Sequence, residues 1–434
     1  MDKMADVLGR AGAWCGQNKY LSAIKNAFQN FMPLTIAGAI GVLWCNVLVN
    51  DQTGLGLFFK PIMALDFLNP AFQAVNFCTI SCITVGITLG IAQEIGVWNM
   101  GAERAGYIPG LVGLAAWLSV TNTSHMVDGA KEAFTGIAGN ELGATGLFTG
   151  MIIGVLSVEL FCFFEKQDAL KIKMPEQVPP GVARAFEVLV PATITLIITA
   201  CIGSACYNLT GLYLNDVIKN GIQGPLGAVG ATIPGVMIIY LVIMLFWLVG
   251  IHGNNMLSAV KEALFTPLAL ENVEAFNKGE TPKNIINMYF LQMCGEFGGS
   301  GVTIGLVIAI MIFGKREDNK AIATLSLVPG LFNINETVTF GIPMVLNPIL
   351  GIPFVVAPLI TIIIGYVLTV IGFCPVACLT VPWTTPPIVF GFLACGANVM
   401  GAVTQAILIV VSTVIYVPFL ISYEKYQNKQ AAEA

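Results

Sequence analysis

The sequence predicts an all-α integral membrane protein with about ten transmembrane helices, re-entrant hairpins and an amphipathic helix on the surface. Two observations lead to this prediction. Of the 434 residues, 56% are hydrophobic and only 10% are charged, whereas a soluble domain has about 25% charged residues. Long uncharged runs also recur along the chain, and a helix needs roughly 20 mostly apolar residues to cross a bilayer.

Nine segments have the length and apolar character of a spanning helix. They are, approximately and in chain order, 32–50, 71–93, 107–121, 142–165, 187–213, 226–250, 286–314, 344–373 and 401–423. The stretches 321–343 and 386–397 are also apolar, but Gly, Pro and Asn residues interrupt them. Because proline removes a backbone donor inside a helix, we expect these two stretches to form broken pieces.

The Lys and Arg residues lie mostly in four polar segments between the apolar runs. These segments are the N-terminal segment, residues 166–184, residues 315–320 and the C-terminal end after residue 424. Cytoplasmic loops of membrane proteins are rich in Lys and Arg. We therefore expect all four segments on the cytoplasmic side of the membrane, with the N- and C-termini inside.

The order of these segments conflicts with a simple series of crossings. Three apolar runs lie between residues 184 and 315, although an even number of crossings must join two cytoplasmic segments. We therefore expect part of 251–285 to enter the membrane without crossing it. Non-helical backbone at membrane depth is tolerated only where it is buried in protein or lines a cavity, so this segment is a candidate for the functional site.

The stretch 166–188 marks the clearest boundary in the chain, because it is too polar to span a membrane. It predicts five regions: a cytoplasmic N-terminal segment (1–31), an N-terminal membrane portion (32–165), a cytoplasmic amphipathic linker (166–188), a C-terminal membrane portion (189–423) and a cytoplasmic tail (424–434).

Several function classes lack support in the sequence. There is no basic stripe that would indicate nucleic acid as a partner, and the polar first residues do not form a signal peptide. The 11 cysteines are scattered without a CxxC pair, so we predict neither a metal site nor a disulfide framework. Walker, GxSxG and HExxH motifs are missing, so we expect no ATP-driven transport, no hydrolase chemistry and no cofactor.

Polar residues at membrane depth are costly and therefore mark candidate functional sites. The first set is Gly250–Asn255, directly after an apolar run, and it contains His252, Gly253 and Asn254. His252 can donate and accept hydrogen bonds, and glycine lets the backbone approach a ligand closely. The alternative is that His252 is a helix-end histidine in a loop.

The second set places Asn333, Asn335 and Glu336 within an otherwise apolar stretch. An ionised glutamate only accepts hydrogen bonds, whereas each asparagine both donates and accepts them. This combination suits the recognition of hydroxyl groups. The alternative is a buried, neutralised Glu336 that caps a broken helix.

Two further sets are open to either interpretation. Glu296 and Ser300 flank a run of glycines, which could line a site or let two membrane helices pack closely. Trp383 stands between prolines in Pro382–Pro387. Its flat face could stack on a sugar ring, or it could be one of the aromatic residues that membrane proteins place at the bilayer interface.

Together these motifs resemble the IIC membrane component of the bacterial sugar phosphotransferase system, lactose/cellobiose branch, and in particular its diacetylchitobiose and cellobiose permeases. The resemblance covers nearly the whole chain. The motifs are Ala23–Asn26, Met32–Thr35, Gly250–Gly253, Gly298–Gly301, Asn335–Glu336, Phe340–Pro343, Asn347–Pro348 and Pro382–Thr384. One position departs from the family pattern, since Thr337 stands where proline usually follows the Asn-Glu pair.

The resemblance implies a homodimer whose N-terminal half makes the dimer contact and whose C-terminal half holds a sugar between re-entrant hairpins. It also implies that a separate cytoplasmic IIB protein, itself supplied by IIA, phosphorylates the 6-hydroxyl of the sugar. This chain would then carry no phosphoacceptor residue of its own. The family's sugar-binding His and Glu carry over onto His252 and Glu336.

Our leading hypothesis is a permease for a β-linked disaccharide of the diacetylchitobiose or cellobiose class. His252, Glu336, Asn333 and Asn335 would bond its hydroxyls, with Trp383 stacked on a ring. Either Glu336 or His252 would act as the catalytic residue on the 6-hydroxyl. A proton-coupled secondary transporter that uses the same two residues, and a membrane enzyme that acts on lipid-linked glycans, are the alternatives.

Overall fold

The computed structural model describes residues 10, 14, 17–51, 55–125, 134–175, 177–342 and 344–433. Within these ranges the regular secondary structure is helical apart from one short hairpin, which confirms the predicted all-α class. Much of the predicted N-terminal segment lies outside the described residues, and so do Glu176 of the predicted linker and Pro343.

The α-helices are numbered in chain order. Up to residue 230 they are α1 (Lys19–Leu43), α2 (Asn69–Asn76), α3 (Ile83–Met100), α4 (Ala102–Ala105), α5 (Ile108–Val120), α6 (Gly139–Leu142), α7 (Ala144–Glu165), α8 (Pro180–Thr210), α9 (Leu214–Ile218) and α10 (Gly224–Gly230). After residue 230 they are α11 (Ile233–Leu248), α12 (Gly253–Met256), α13 (Ser258–Asn277), α14 (Met288–Gly295), α15 (Ile304–Phe313), α16 (Glu317–Leu331), α17 (Glu336–Gly341), α18 (Gly351–Val370), α19 (Val389–Ala394) and α20 (Val399–Glu433).

Shorter elements extend or join these helices. Wider π-type turns cover Trp44–Leu48, Phe77–Ser81 and Lys219–Gln223, and tighter 3-10 turns cover Leu55–Leu57, Lys60–Leu68, Asp168–Leu170 and Ser300–Val302. The hairpin pairs β1 (Ser124–His125) with β2 (Phe134–Thr135) in antiparallel register, with Ser124 opposite Thr135.

Each of the nine predicted apolar segments contains a helix. Within the described ranges, five helices are long and apolar enough to cross a membrane, or up to seven if each of two bent pairs is one span. The helices α5 and α11 are apolar but shorter. The predicted total of about ten crossings therefore stays a prediction.

The predicted segment 286–314 is broken, because α14 and α15 meet at an angle of 59°. The backbone between them passes through Gly298, Gly299 and Gly301, whose φ angles are +70°, +89° and +77°. Glycine adopts this left-handed region without steric cost. A side chain at residue 301 would also overlap the ring of Phe354. The glycine run is therefore needed for this turn, which carries Ser300.

Two predicted surface regions differ from expectation in detail. In the linker, a short turn at Asp168–Leu170 is followed by non-helical backbone at 171–175 and 177–179, and α8 begins at Pro180, so the amphipathic surface helix is not confirmed. Proline at the first turn of α8 is favourable because that backbone N–H needs no partner within the helix. The predicted C-terminal tail continues α20 as far as Glu433.

The chain divides into two compact units. Unit 1 includes Ala39–Gln73 and Ala228–Ala434, and unit 2 consists of Gln17–Gly38 and Ala74–Gly227. This division follows compactness and cuts the chain elsewhere than at the predicted linker, so the five predicted regions stay a prediction. Every residue predicted for the functional site belongs to unit 1.

Unit 2 has an apolar core with one buried ionic cluster. Its helices α3 and α5 approach closely because Gly113 faces Ala92, where a side chain would overlap, as small residues permit in membrane helices. At the end of α7, Glu165 is 3% exposed and accepts from Arg104 and Arg184 at 2.8 Å each. The two arginines also contact Glu187.

Candidate functional site

His252 lies where α11 gives way to the short helix α12. The turn is closed by a hydrogen bond from the backbone N–H of Ile251 to the carbonyl of Phe246, at 3.0 Å. His252 caps α12, because its Nδ1 accepts from the backbone N–H of Asn255 at 3.2 Å. A neutral imidazole that accepts at Nδ1 carries its proton on Nε2. The ring also lies 4.4 Å from that of Trp247, which limits its rotation.

Glu336 approaches His252 from the start of α17. Its Oε1 lies 3.8 Å from His252 Nε2, and the two side chains are 48% and 36% exposed. This separation is too long for a direct hydrogen bond. A hydroxyl group beside the line between them could accept from Nε2 and donate to the carboxylate. The structure therefore brings together the two residues that the sequence marked as the likeliest to act on a hydroxyl.

The side chain of Asn333 forms hydrogen bonds to two other segments of the chain, one at Gly298 and one at 383–385. Its φ of +63° is a conformation that asparagine tolerates better than most residues. Its Oδ1 accepts from the backbone N–H of Gly298 at 2.6 Å. Its Nδ2 donates to the carbonyls of Trp383 and Thr385, at 2.5 and 3.1 Å. Both amide hydrogens are thus engaged, so Asn333 supports its neighbours and has no hydrogen left to donate to a ligand.

Asn335 also has a supporting position. It is buried, and its Nδ2 donates to the carbonyl of Ser300 at 2.8 Å. A side chain at residue 299 would collide with Asn335, lying 2.6 Å from its Cβ. Trp383, by contrast, is 44% exposed, and its carbonyl accepts a hydrogen bond from Asn333. Its indole therefore offers an apolar face on a fixed backbone.

Gly253 and Asn254 follow His252 on α12. At residue 253 a Cβ atom would lie 2.8 Å from the carbonyl carbon of Ile243 and closer to its oxygen, so only glycine fits. Asn254 donates from Nδ2 to Ser300 Oγ at 2.9 Å and accepts at Oδ1 from Lys261 at 3.2 Å.

Glu296 is occupied by two partners that the sequence analysis missed. It forms an ion pair with Lys261, and it accepts from Tyr240 Oη at 2.8 Å. Tyr240 lies in a uniformly apolar run and gave no sequence signal. Lys261 could have been found, because it lies inside the segment predicted to enter the membrane without crossing it, where a charge needs a partner.

Fewer side chains of the site are accessible to a ligand than the sequence predicted. His252, Glu336 and Trp383 offer a donor, an acceptor and an aromatic face, whereas Asn333, Asn335 and Glu296 are largely used within the protein. Within the described ranges no group of three or more His, Cys, Asp or Glu residues could hold a metal ion. The arrangement suits binding of a polyhydroxylated ring.

Comparisons with known proteins agree on one family. The family model described as "Phosphotransferase system, EIIC" matches residues 25–358. The oligo-beta-mannoside-specific EIIC component of Bacillus subtilis (strain 168) is 32% identical over 98% of this chain and 94% of that protein. The cellobiose-specific EIIC component of Lactococcus lactis subsp. lactis (strain IL1403) is 30% identical over 98% of each chain.

A solved structure is similar over almost the same length. It is the crystal structure of the transporter ChbC, the IIC component from the N,N'-diacetylchitobiose-specific phosphotransferase system. The TM-score is 0.88 with 29% sequence identity, and the match covers 97% of this chain and 97% of that chain. The likeness therefore extends to the whole fold.

Proposed function

Because this chain belongs to the EIIC family of the phosphotransferase system, we propose that it is a permease subunit for a β-linked disaccharide of the cellobiose or diacetylchitobiose class. The sugars in the names of its relatives, oligo-β-mannoside, cellobiose and N,N'-diacetylchitobiose, support this class. The sugar would be phosphorylated on its 6-hydroxyl by a separate phosphorylated IIB protein during uptake.

The observation that carries the proposal is the pair formed by His252 and Glu336. Because Nδ1 of His252 accepts from Asn255, Nε2 is the nitrogen that can donate to the 6-hydroxyl oxygen. Glu336 Oε1, 3.8 Å away, would accept the hydroxyl proton. The oxygen would then attack the phosphorus carried by IIB, the bond between phosphorus and IIB would break, and the proton would pass to Glu336 as general base.

Two features of the site suit a sugar that leaves as its phosphate. The indole of Trp383 would stack on the apolar face of a ring, and its fixed backbone keeps the cost of ordering low. A phosphorylated product would carry negative charge next to Glu336. Repulsion between the two would weaken binding and favour release into the cytoplasm.

The assembly follows from the same family assignment. The proposed partners are the disaccharide, a cytoplasmic IIB protein, IIA acting through IIB, and the lipid bilayer of a bacterial inner membrane. A second copy of the chain would form a homodimer through the N-terminal membrane portion (32–165). Both termini would be cytoplasmic, in accordance with the basic residues near them.

Uptake experiments test the proposal against proton coupling. We expect vesicles loaded with phosphoenolpyruvate and the general phosphotransferase proteins, IIA and IIB to accumulate disaccharide phosphate, with no loss when a protonophore is added. Unmodified sugar inside the vesicles, and uptake abolished by the protonophore, would instead favour a proton-coupled transporter.

Variants test the assigned residues. Glu336→Gln and His252→Ala should each abolish phosphorylating uptake and reduce disaccharide binding to the purified chain. The matched controls are Glu280→Gln, at an exposed position, and His125→Ala, at the other histidine of the chain. Wild-type activity in either site variant would remove that residue from the mechanism.

A further inference from the structure

Lys261 is a buried cation in unit 1 to which the proposed mechanism gives no role. It lies on α13 with 6% of its surface exposed. Its Nζ forms an ion pair with Glu296, and Tyr240 Oη donates to the same carboxylate at 2.8 Å. A buried ion pair often contributes less stability than an apolar replacement of the same shape. Its presence therefore invites an explanation other than stability.

A second hydrogen bond of Lys261 connects it with the site. Its Nζ donates to Asn254 Oδ1 at 3.2 Å, and Asn254 stands two residues after His252 on α12. Lysine has three donors and no acceptor. The oxygen of the Asn254 amide must therefore face Lys261, and the nitrogen must face the opposite way.

This orientation determines what the rest of the amide can do. One hydrogen of Asn254 Nδ2 is donated to Ser300 Oγ at 2.9 Å. An amide nitrogen carries two hydrogens, so a second donor remains. Asn254 is only half-buried, which leaves that hydrogen available to a ligand.

We propose that Lys261 is a positioning residue that fixes the amide of Asn254, so that the site presents an N–H donor to an acceptor oxygen of the bound sugar. The inference rests on the proposed function and deepens it. A free asparagine amide could turn over and offer oxygen or nitrogen to a ligand equally well. With Lys261 in place, a hydroxyl, ring or acetamido oxygen is favoured at this position, and a group that can only donate is rejected.

The test removes the cation without leaving a lone buried charge. The pair variant Lys261→Met with Glu296→Gln neutralises both partners. The matched control, Lys278→Met with Glu274→Gln, removes an ion pair on the same helix whose side chains are 58% and 43% exposed. Each purified full-length chain is reconstituted in lipid nanodiscs, and its affinity for cellobiose and for N,N'-diacetylchitobiose is measured together with its Tm.

We expect the pair variant to bind the preferred sugar about tenfold more weakly, as for one hydrogen bond of ordinary net strength. Asn254→Ala should lose a similar factor, and the pair variant combined with Asn254→Ala should bind no more weakly than Asn254→Ala alone. The single variant Lys261→Arg keeps a donor at this position, so its sugar affinity should lie between those of the pair variant and the wild type. The surface control should bind like the wild type.

Two results would overturn the inference while leaving the proposed function intact. One is wild-type affinity in the pair variant. The other is a further tenfold loss when the pair variant is combined with Asn254→Ala, because Lys261 would then act independently of that amide. A wild-type chain that bound neither sugar would remove the proposed function itself, and the ligand role of Asn254 would be lost with it.

Discussion

Replacement of Gly253 by alanine tests whether the approach of α12 to α11 positions His252. The added Cβ would lie 2.8 Å from the carbonyl carbon of Ile243, whereas carbon atoms in favourable contact are about 3.5–4.0 Å apart. The two segments must therefore separate by at least about 0.7 Å. The carbonyl belongs to the backbone of α11, so no side-chain rotation can relieve the overlap.

Overpacking of this kind costs about 1–3 kcal/mol. At roughly 2 °C per kcal/mol for a large domain, we expect Tm to fall by about 2–6 °C. Disaccharide affinity should fall as well, because residue 253 directly follows His252 and begins the helix that His252 caps. The movement would lengthen the 3.8 Å separation between His252 and Glu336.

Thermal unfolding and sugar binding of the purified chain measure both effects. The control is Gly181→Ala, in the first turn of α8, where an added Cβ meets nothing within 4 Å. That variant should be as stable as the wild type or slightly more so, by about 0.5–1 kcal/mol, because alanine is a better helix former than glycine. Unchanged Tm and affinity in Gly253→Ala would refute the reasoning.

Three further variants probe contacts that support the fold and the site. Tyr416→Phe removes the hydrogen bond of 2.7 Å to the carbonyl of Gly301 and should cost about 0.5–1.5 kcal/mol in thermal unfolding; an unchanged Tm would argue against this contact. Glu165→Gln should lower the free energy of unfolding by about 1.5–3 kcal/mol, as for a lost charged hydrogen bond, because both arginines keep Glu187 as a partner; a loss under about 0.5 kcal/mol would mean that Glu165 is solvated. Asn333→Asp should weaken sugar binding, because the carbonyl of Trp383 would lose its hydrogen-bond donor and the indole its fixed position. In a Trp383→Ala background, Asn333→Asp should cause no further loss of affinity. A further loss there would indicate that Asn333 contacts the sugar directly.

The membrane scaffold could be predicted because each span is a local property. A run such as 142–165 is apolar over its whole length, and in a bilayer the backbone of such a run must satisfy its own hydrogen bonds. The structure forms α7 over Ala144–Glu165, within two residues of the predicted start. At 298–301, by contrast, the sequence predicted one continuous span over 286–314, and the structure breaks that span at its glycines.

The roles of the polar residues could not be read in the same way. Asn333 and Glu336 stand in one short motif and looked equivalent, yet Asn333 is bonded to the backbone of two other segments. Lys261 stands beside Glu262, a pattern typical of an exposed helix face, and the sequence does not indicate that its partner is Glu296. In each case the partner lies far along the chain, and a sequence pattern does not record it.

The sequence by itself determined that this chain is a multi-pass membrane protein of the EIIC family and that polar residues break its apolar runs near residues 252 and 336. The membrane character and the breaks follow from the cost of burying polar groups, which is visible within each segment, and the family follows from short motifs along the chain. Only the tertiary structure decided which of these residues remain open to a ligand. That depends on hydrogen bonds between distant segments, which leave His252, Glu336 and Trp383 accessible while Asn333, Asn335 and Glu296 are engaged within the protein.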